Sequence, residues 1–130
     1  MSATILLIED NEQNRYLATF LLEQYGHRIV PATDGPAGIT TAQELVPDLI
    51  LLDIQLPRMD GYAVARALRE LQALKDVPIV AVTSYAMAGD REKALSAGCT
   101  GYIEKPINPD TFVAEITAFL PRGAGRGDSA

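Results

Sequence analysis

Several residue types from which common sites are built are scarce in this sequence. Its 130 residues include one cysteine, Cys99, and one histidine, His27. Cys99 cannot form an internal disulfide and has no cysteine or histidine at metal-ligand spacing, so it indicates a reducing cytoplasm and a packing role. His27 lies at the edge of a short predicted strand, far from the acidic residues considered below, and we interpret it as structural.

Long apolar runs and an excess of basic charge are also absent. No apolar run approaches the roughly 20 residues of a membrane span, and the first apolar run is not preceded by the basic region and cleavage site of a signal peptide. Eleven basic against seventeen acidic residues give a net charge of −6, which disfavours binding to nucleic acid or anionic lipid. We therefore expect a cytoplasmic protein whose partners are proteins, with no direct contact to nucleic acid or membrane.

What the sequence does contain is typical of one soluble domain. The hydrophobic fraction is 48% and the charged fraction 22%, and a chain of this length buries a sufficient core without disulfides or structural metal. We expect a single domain over residues 1–121. Residues 122–130 are glycine-rich and nonperiodic, which predicts a disordered tail.

Short apolar segments alternate with segments of helical periodicity along the chain. Strands are predicted at residues 4–8, 28–32, 48–53, 77–83 and 102–103. Helices are predicted at residues 12–25, 36–45, 60–73, 89–97 and 109–120. Five strand–helix repeats imply a parallel sheet with right-handed crossovers and helices on both faces.

Polar residues stand at the ends of four predicted strands. Glu9 and Asp10 follow the first strand, Asp53 ends the third, Thr83 ends the fourth, and Lys105 follows the fifth. Ligands of open α/β sheets bind outside the carboxyl ends of the strands. Carboxylates, a hydroxyl and an ammonium are therefore expected to share one edge of the sheet.

Four segments of the chain resemble the receiver domains of two-component response regulators. They are Ile8-Glu9-Asp10-Asn11, the run from Leu52 to Gly61, Val82-Thr83-Ser84-Tyr85-Ala86, and Tyr102-Ile103-Glu104-Lys105-Pro106. The resemblance extends from about Thr4 to Leu120 and combines four motifs in the right order. It implies a flavodoxin-like (βα)5 fold, which is a doubly wound parallel sheet of five strands in the order 2-1-3-4-5.

The resemblance implies a phosphoacceptor and a metal site. Asp53 matches the phosphoacceptor, and Glu9 and Asp10 match the acidic pair that helps to hold a divalent cation. We expect Asp10, Asp53 and the backbone carbonyl of Gln55 to ligate the cation, with Glu9 acting mainly through water. Crowded carboxylates repel one another unless a cation neutralises them, and oxygen ligands with retained waters suit Mg²⁺, with Mn²⁺ as the alternative.

Further roles in phosphoryl binding and readout are implied by the resemblance. Lys105 would pair with one phosphoryl oxygen, and the Thr83 hydroxyl would donate to another. The bond between Lys105 and Pro106 matches the family's cis peptide. Tyr102 matches an aromatic residue that moves inward with Thr83. The face built from the fourth helix, fifth strand and fifth helix, residues 86–120, is therefore expected to change on activation and to meet partners.

Two residues are expected to set the lifetime of the phosphoryl group. Gln55 lies two positions beyond the acceptor and Tyr85 two positions beyond Thr83, so both flank the path of an attacking water. Because the bulky side chain of Tyr85 would shield the phosphoryl bond, we expect slower self-dephosphorylation than with a small or acidic residue at this position.

The implied function is that of a signalling switch and not of an enzyme, since its only chemistry is its own phosphorylation and dephosphorylation. The phosphoryl group would come from a histidine kinase or a histidine phosphotransfer protein, and a downstream protein would read it. His27 is not expected to donate a phosphoryl group. Ten residues follow Leu120, too few for a DNA-binding output domain. We expect a single-domain regulator that is a monomer or a weak homodimer.

Two functions of other classes fit less well. A haloacid-dehalogenase-type phosphatase has an Asp-x-Asp pair at its first strand, where this chain has Glu9-Asp10-Asn11. A flavodoxin-like electron carrier needs a phosphate-binding loop at the same place, where these acids would repel a phosphate.

Within the family, three roles stay open: a shuttle in a phosphorelay, a regulator that binds a protein such as a kinase, and a chemotaxis-type motor binder. Ser84-Tyr85-Ala86-Met87 and the run from Gly89 to Lys93 resemble single-domain regulators of the cell-cycle type. Kinase control or relay is therefore our first choice.

Overall fold

Five parallel strands form one sheet in the computed structural model, which describes residues 2–56, 59–84 and 89–120. The strands are β1 (Thr4–Ile8), β2 (Arg28–Ala32), β3 (Leu49–Asp53), β4 (Ile79–Thr83) and β5 (Gly101–Glu104). Neighbouring strands are parallel, and their order is β2-β1-β3-β4-β5. Every residue of β3 and β4 is buried, as expected for central strands covered on both faces. The predicted flavodoxin-like order is confirmed.

Helices connect consecutive strands. They are α1 (Glu12–Glu23), α2 (Gly35–Leu45), α3 (Gly61–Arg69), α4 (Asp90–Ser96) and α5 (Phe112–Phe119), and a short 3-10 helix at Gln72–Leu74 follows α3. Asn11, Asp34 and Asp60 cap the first three helices, because the side chain of each accepts a hydrogen bond from a backbone N–H of the first turn. A cap of this kind stabilises a helix by about 1 kcal/mol.

Of the five helices, α1, α3, α4 and α5 are shorter than the periodicity predicts, and α3 and α5 differ most. α3 ends at Arg69, because Leu71 has an extended backbone with φ −84° and ψ 122°. α5 begins at Phe112 and not at Pro109. The Asn108 side chain accepts a hydrogen bond from the Asp110 N–H at 2.9 Å, and this local bond offers the backbone a turn in place of a helix.

The two faces of the sheet pack against separate hydrophobic cores, because successive side chains of a strand point to opposite faces. One core joins the strands to α2, α3 and α4 and includes Ile8, Leu52 and Val64. The other joins them to α1 and α5 and includes Leu7, Leu51 and Phe112. Cys99 belongs to the first core, and burial raises the pKa of its thiol to about 11. A thiol kept neutral in this way packs as a small apolar side chain.

The edge of the sheet where the strands begin, here called the amino edge, is joined by the Arg69 guanidinium at the end of α3. Its Nε donates to the Gly98 carbonyl at 2.7 Å and its Nη2 to the Thr100 hydroxyl at 3.1 Å. Its Nη1 donates to the carbonyls of residues 74, 75 and 77 at 2.8, 3.3 and 2.6 Å. One side chain therefore connects α3 to the segments that lead into β4 and β5.

None of the helices within the described residues is long and apolar enough to cross a membrane. The predicted tail, residues 122–130, and Tyr85 lie outside the described residues. The predictions made for them stay predictions.

Candidate functional site

The opposite edge, where the strands end and here called the carboxyl edge, brings three carboxylates together. Glu9 and Asp10 directly follow β1, and Asp53 is the last residue of β3. One carboxylate oxygen of each residue lies within 4.8 Å of the corresponding oxygens of the other two. Glu9 and Asp53 are buried, whereas Asp10 is exposed. The cluster therefore opens to solvent on the side of Asp10.

An ammonium group enters this cluster from β5. The Nζ atom of Lys105 lies 2.9 Å from Glu9 Oε1 and 3.4 Å from Asp53 Oδ2. The backbone N–H of Lys105 donates to the Thr83 carbonyl at 2.8 Å, which holds the start of this side chain in place. The Lys105–Pro106 peptide bond is cis. One ammonium against three carboxylates leaves a surplus of negative charge, which favours a cation at this edge.

Both carboxylate oxygens of Glu9 have partners. Oε1 is paired with Lys105, and Oε2 accepts a hydrogen bond from the Asn11 N–H at 3.1 Å. Asp53 is held differently, since its Oδ1 accepts from the Gln55 N–H at 2.9 Å while its Oδ2 is the oxygen that faces Lys105 at the longer distance. Glu9 is thus the more constrained acid of the two.

The position of Asp53 makes its carboxylate costly to ionise. Burial raises its pKa to about 7, and the hydrogen bond with Glu9 and the Glu9 charge act in the same direction. The Gln55 N–H and the Lys105 ammonium oppose this shift. A divalent cation at the cluster would favour the ionised form, and carboxylate and carbonyl oxygens are the ligands that Mg²⁺ prefers. The residues present therefore fit such a cation.

Gly61, the first residue of α3, packs tightly against the backbone at the end of β3. The Gly61 N–H donates to the Ile54 carbonyl at 3.0 Å. A Cβ atom on Gly61 would lie 2.4 Å from the Ile54 Cα and 2.9 Å from the Asp53 carbonyl oxygen. Only glycine permits this approach, which brings the start of α3 against the end of β3.

The two predicted readout residues lie on neighbouring strands, and Thr83 lines the same cavity as Asp10. Thr83 is buried at the end of β4, and Tyr102 is half-buried in β5 and packs against the core under α2, α3 and α4. Burial raises the pKa of the Tyr102 hydroxyl, with Asp90 and Glu104 adding to the shift. A cavity of about 500 Å³ extends from the cluster toward α3 and α4, and its lining includes Asp10, Gln55, Thr83, Tyr62, Asp90 and Lys93.

Two residues of this edge were missed by sequence reasoning. The Arg15 Nη1 atom donates to the Glu9 and Asp10 carbonyls, each at 3.0 Å. Ser84 bonds to the Gln55 side chain through its N–H at 3.2 Å and its hydroxyl at 3.0 Å. In the sequence, Arg15 is one polar residue of an amphipathic helix and Ser84 one hydroxyl after a strand. Ser84 belongs to a matched motif, but nothing in the sequence indicates its bond to Gln55, and no pattern distinguishes Arg15 from a solvated residue.

The fold and the site together define the class of protein: it is a doubly wound α/β protein with an acidic pocket and a lysine at the carboxyl edge of its sheet. Residues 5–117 match the model of the response regulator receiver domain. The chain belongs to this family, whose members are switches of two-component signalling. Receiver domains accept a phosphoryl group and bind Mg²⁺ in the active site.

Particular relatives cover almost the whole chain. The polar-differentiation response regulator DivK of Brucella ovis is 38% identical over 120 residues, which are 92% of this chain and 98% of that relative. The receiver domain of the sensor histidine kinase PA1611 of Pseudomonas aeruginosa, solved with a magnesium ion in its active-site cleft, is 34% identical with a TM-score of 0.84 and covers 92% of this chain and 98% of its own. The chemotaxis regulator CheY4 of Vibrio cholerae is 27% identical with a TM-score of 0.88, and covers 92% of this chain and all of its own.

Proposed function

We propose that this protein accepts a phosphoryl group on Asp53 from a histidine kinase or a histidine phosphotransfer protein and changes its protein contacts as a result. The observation that carries the proposal is the cluster of the Glu9, Asp10 and Asp53 carboxylates. Two of them, Glu9 and Asp53, form ion pairs with the Lys105 ammonium. A stand-alone role as a monomer or weak homodimer in the cytoplasm is part of the proposal. It is supported by the match to nearly the full length of the DivK relatives.

Asp10, Asp53 and the backbone carbonyl of Gln55 would hold the cation, Mg²⁺ or alternatively Mn²⁺. Glu9 would contribute mainly through water, because both of its oxygens already have partners. When bound, the cation supplies positive charge that lowers the repulsion between the carboxylates and the incoming phosphoryl oxygens. The magnesium in the PA1611 receiver structure supports this assignment.

Phosphoryl transfer demands positioning and charge neutralisation more than covalent help from the protein. An oxygen of Asp53 forms a bond to phosphorus as the bond from phosphorus to the donor's histidine nitrogen breaks, and that nitrogen keeps the electron pair. The Gln55 N–H at Asp53 Oδ1 orients the carboxylate. Lys105 lies close enough to exchange part of its contact with Glu9 for a phosphoryl oxygen, and Thr83 would donate to another.

The phosphorylated state would be read at the surface. Thr83 moves toward the phosphoryl group, Tyr102 follows it inward, and the face of α4, β5 and α5 changes as a result. Gln55 and Tyr85 would flank the attacking water and so set how long the phosphoryl group lasts. The half-buried place of Tyr102 between the core and α4 supports this route.

The experiment that tests the proposed function is incubation with acetyl phosphate and Mg²⁺ followed by mass spectrometry of the intact protein. We expect the wild type to gain the mass of one phosphoryl group and Asp53→Asn to gain none. Asp110→Asn, the same change at an exposed position of the β5–α5 connection, should behave as the wild type. A phosphoryl adduct that persists in Asp53→Asn would place the acceptor elsewhere.

Cation binding has a test that does not depend on phosphorylation. A ligand that binds only the folded protein stabilises it by about 1.4 kcal/mol at ten times its Kd. We expect Mg²⁺ to raise the melting temperature of the wild type and of Asp110→Asn, and to have little effect on Asp10→Asn. Equal stabilisation of all three proteins would contradict the assignment of Asp10 as a ligand.

A further inference from the structure

A side-chain contact crosses the mouth of the site and joins the loop after β3 to the residue after β4. The Gln55 Oε1 atom accepts a hydrogen bond from the Ser84 N–H at 3.2 Å and another from the Ser84 hydroxyl at 3.0 Å. The orientation of the Gln55 amide follows from the backbone N–H, which can only donate. One acceptor therefore takes both hydrogen-bond donors of Ser84.

Gln55 is also tied to the acceptor carboxylate. Its own N–H donates to Asp53 Oδ1 at 2.9 Å. Asp53 pairs with Val82 in the sheet, and Ser84 lies two residues beyond Val82 on the neighbouring strand. The side chain of Gln55 thus spans from the phosphorylation site to the first residue beyond β4.

Donors at this edge are bonded to protein acceptors in the unphosphorylated protein. Lys105 is paired with Glu9, the Gln55 N–H with Asp53, and both donors of Ser84 with Gln55. A phosphoryl group on Asp53 brings three strong acceptor oxygens and a charge of about −1.5 to −2. Such oxygens are stronger acceptors than a neutral amide oxygen, and a hydrogen bond to an ionised group is about twice as strong. The phosphoryl group therefore competes with Gln55 for Ser84.

We propose that the Gln55–Ser84 contact holds the residue after β4 in its resting position, and that it opens when Asp53 is phosphorylated so that the Ser84 N–H turns to a phosphoryl oxygen. This inference rests on the proposed function, in which Asp53 is the acceptor. Gln55 is then a positioning residue, because its side chain acts on the reaction through Ser84. It sets the rate at which the phosphoryl group is accepted, apart from any effect on how fast the group is lost.

The test compares rates of phosphorylation with acetyl phosphate and Mg²⁺. Gln55→Met keeps the length of the side chain and removes the acceptor, so the Ser84 donors are free before transfer. The net strength of an exposed hydrogen bond predicts a rate about threefold higher than in the wild type. Gln43→Met, the same change at an exposed position of α2, should leave the rate unchanged.

A double-mutant cycle shows whether Gln55 acts through Ser84. Ser84→Ala removes the hydroxyl donor and keeps the N–H, so we expect a smaller rise in rate than for Gln55→Met. The combined variant should be no faster than Gln55→Met alone, since residues that share one contact are not additive. Independent, additive effects of the two changes would overturn the coupling.

The NMR resonance of the Ser84 amide provides a second measurement. A change only in the rate at which the phosphoryl group is hydrolysed would not shift this resonance. In the unphosphorylated protein, Gln55→Met should shift this resonance and speed its hydrogen exchange, whereas beryllofluoride with Mg²⁺ should bring both proteins to similar shifts. An unchanged or lower rate in Gln55→Met, with the Ser84 resonance unmoved, would overturn the inference and leave Asp53 as the acceptor. Failure of the wild type to take up a phosphoryl group would instead overturn the proposed function.

Discussion

The two edges of the sheet differ in how the charges of their side chains are balanced. At the amino edge, the Arg69 guanidinium is matched by four carbonyls and one hydroxyl. At the carboxyl edge, three carboxylates lie together, the Lys105 ammonium pairs with only two of them, and the pKa of Asp53 rises to about 7. One edge satisfies its charge with backbone groups and gains stability. The other edge has more carboxylates than ammonium groups, and a bound cation or proton is needed to balance them. This arrangement lowers the stability of the folded protein and serves the chemistry of the site.

The two edges also differ in whether their side-chain contacts can change partners. The contacts of Arg69 are made to backbone carbonyls that lead into β4 and β5, and these cannot move without disturbing the sheet. The contacts of Lys105 and Gln55 are made to side chains, which can change partners while the strands stay in place. We therefore expect substitutions at the amino edge to affect the free energy of unfolding, and substitutions at the carboxyl edge to affect phosphorylation.

The largest effect is expected at the amino edge. Arg69→Met should lower the free energy of unfolding by about 3 kcal/mol, because several carbonyls lose their donor at once. Urea denaturation measures this loss. Arg66→Met, an exposed position in the same last turn of α3, should change stability by less than about 0.5 kcal/mol. Similar losses in both variants would show that the hydrogen bonds of Arg69 contribute little.

At the carboxyl edge, a substitution is expected to raise the free energy of unfolding. The pKa of Asp53 is raised from 3.8 to about 7 by burial and by Glu9, so the folded protein binds a proton more readily than the unfolded chain. Its contribution to stability is present below about pH 4 and is lost as the pH rises through about 7. Without divalent cation, Asp53→Asn should therefore stabilise the protein by about 1–2 kcal/mol at pH 8, and by less at pH 5.

Urea denaturation at both pH values, with Asp110→Asn as the control, measures this difference. A gain for Asp53→Asn that is the same at pH 5 and pH 8 would contradict the link to ionisation. A loss of stability at pH 8 would remove the contrast between the two edges.

The smallest effect belongs to His27, a second polar residue of the amino edge. Its Nδ1 accepts a hydrogen bond from the Ala3 N–H at 3.1 Å, and burial lowers its pKa from 6.5. The unfolded chain then binds the proton more readily, so stability falls as the pH drops below about 6.5. His27→Asn keeps an acceptor for the N–H but cannot titrate. It should flatten the pH dependence of stability between pH 7 and 5.5.

The measurement is a series of urea denaturations across this pH range. Equal slopes in the wild type and in His27→Asn would mean that another group titrates there.

Much of the fold was predictable because its signals are local. Continuous apolar runs marked the buried strands, and apolar residues at helical spacing marked the helices between them. The late start of α5 was not predictable, since it depends on the Asn108 side chain competing with the helix for the Asp110 N–H. Periodicity shows which face of a segment is apolar and does not show where a local hydrogen bond ends a helix.

The site likewise has features that could be predicted from the sequence and features that could not. That acids end β1 and β3 and that a lysine follows β5 could be read from the sequence, because the ends of parallel strands meet at one edge. The contacts of Arg15 and Ser84 could not, since each joins segments whose distance depends on packing. The partners of Glu9 could not be assigned either, because Lys105 is 96 residues away along the chain.

By itself, the sequence determined the alternation of strands and helices, the membership of four motifs in one family, and the set of polar residues at the carboxyl edge. Only the tertiary structure decided how these residues are paired and which carboxyl group has its pKa raised. Pairing depends on distances of about 3 Å between groups from different strands, and these distances follow from how the strands and loops pack. Glu9 is consequently tied to Lys105 while the buried Asp53 has its pKa raised, and that difference follows from packing.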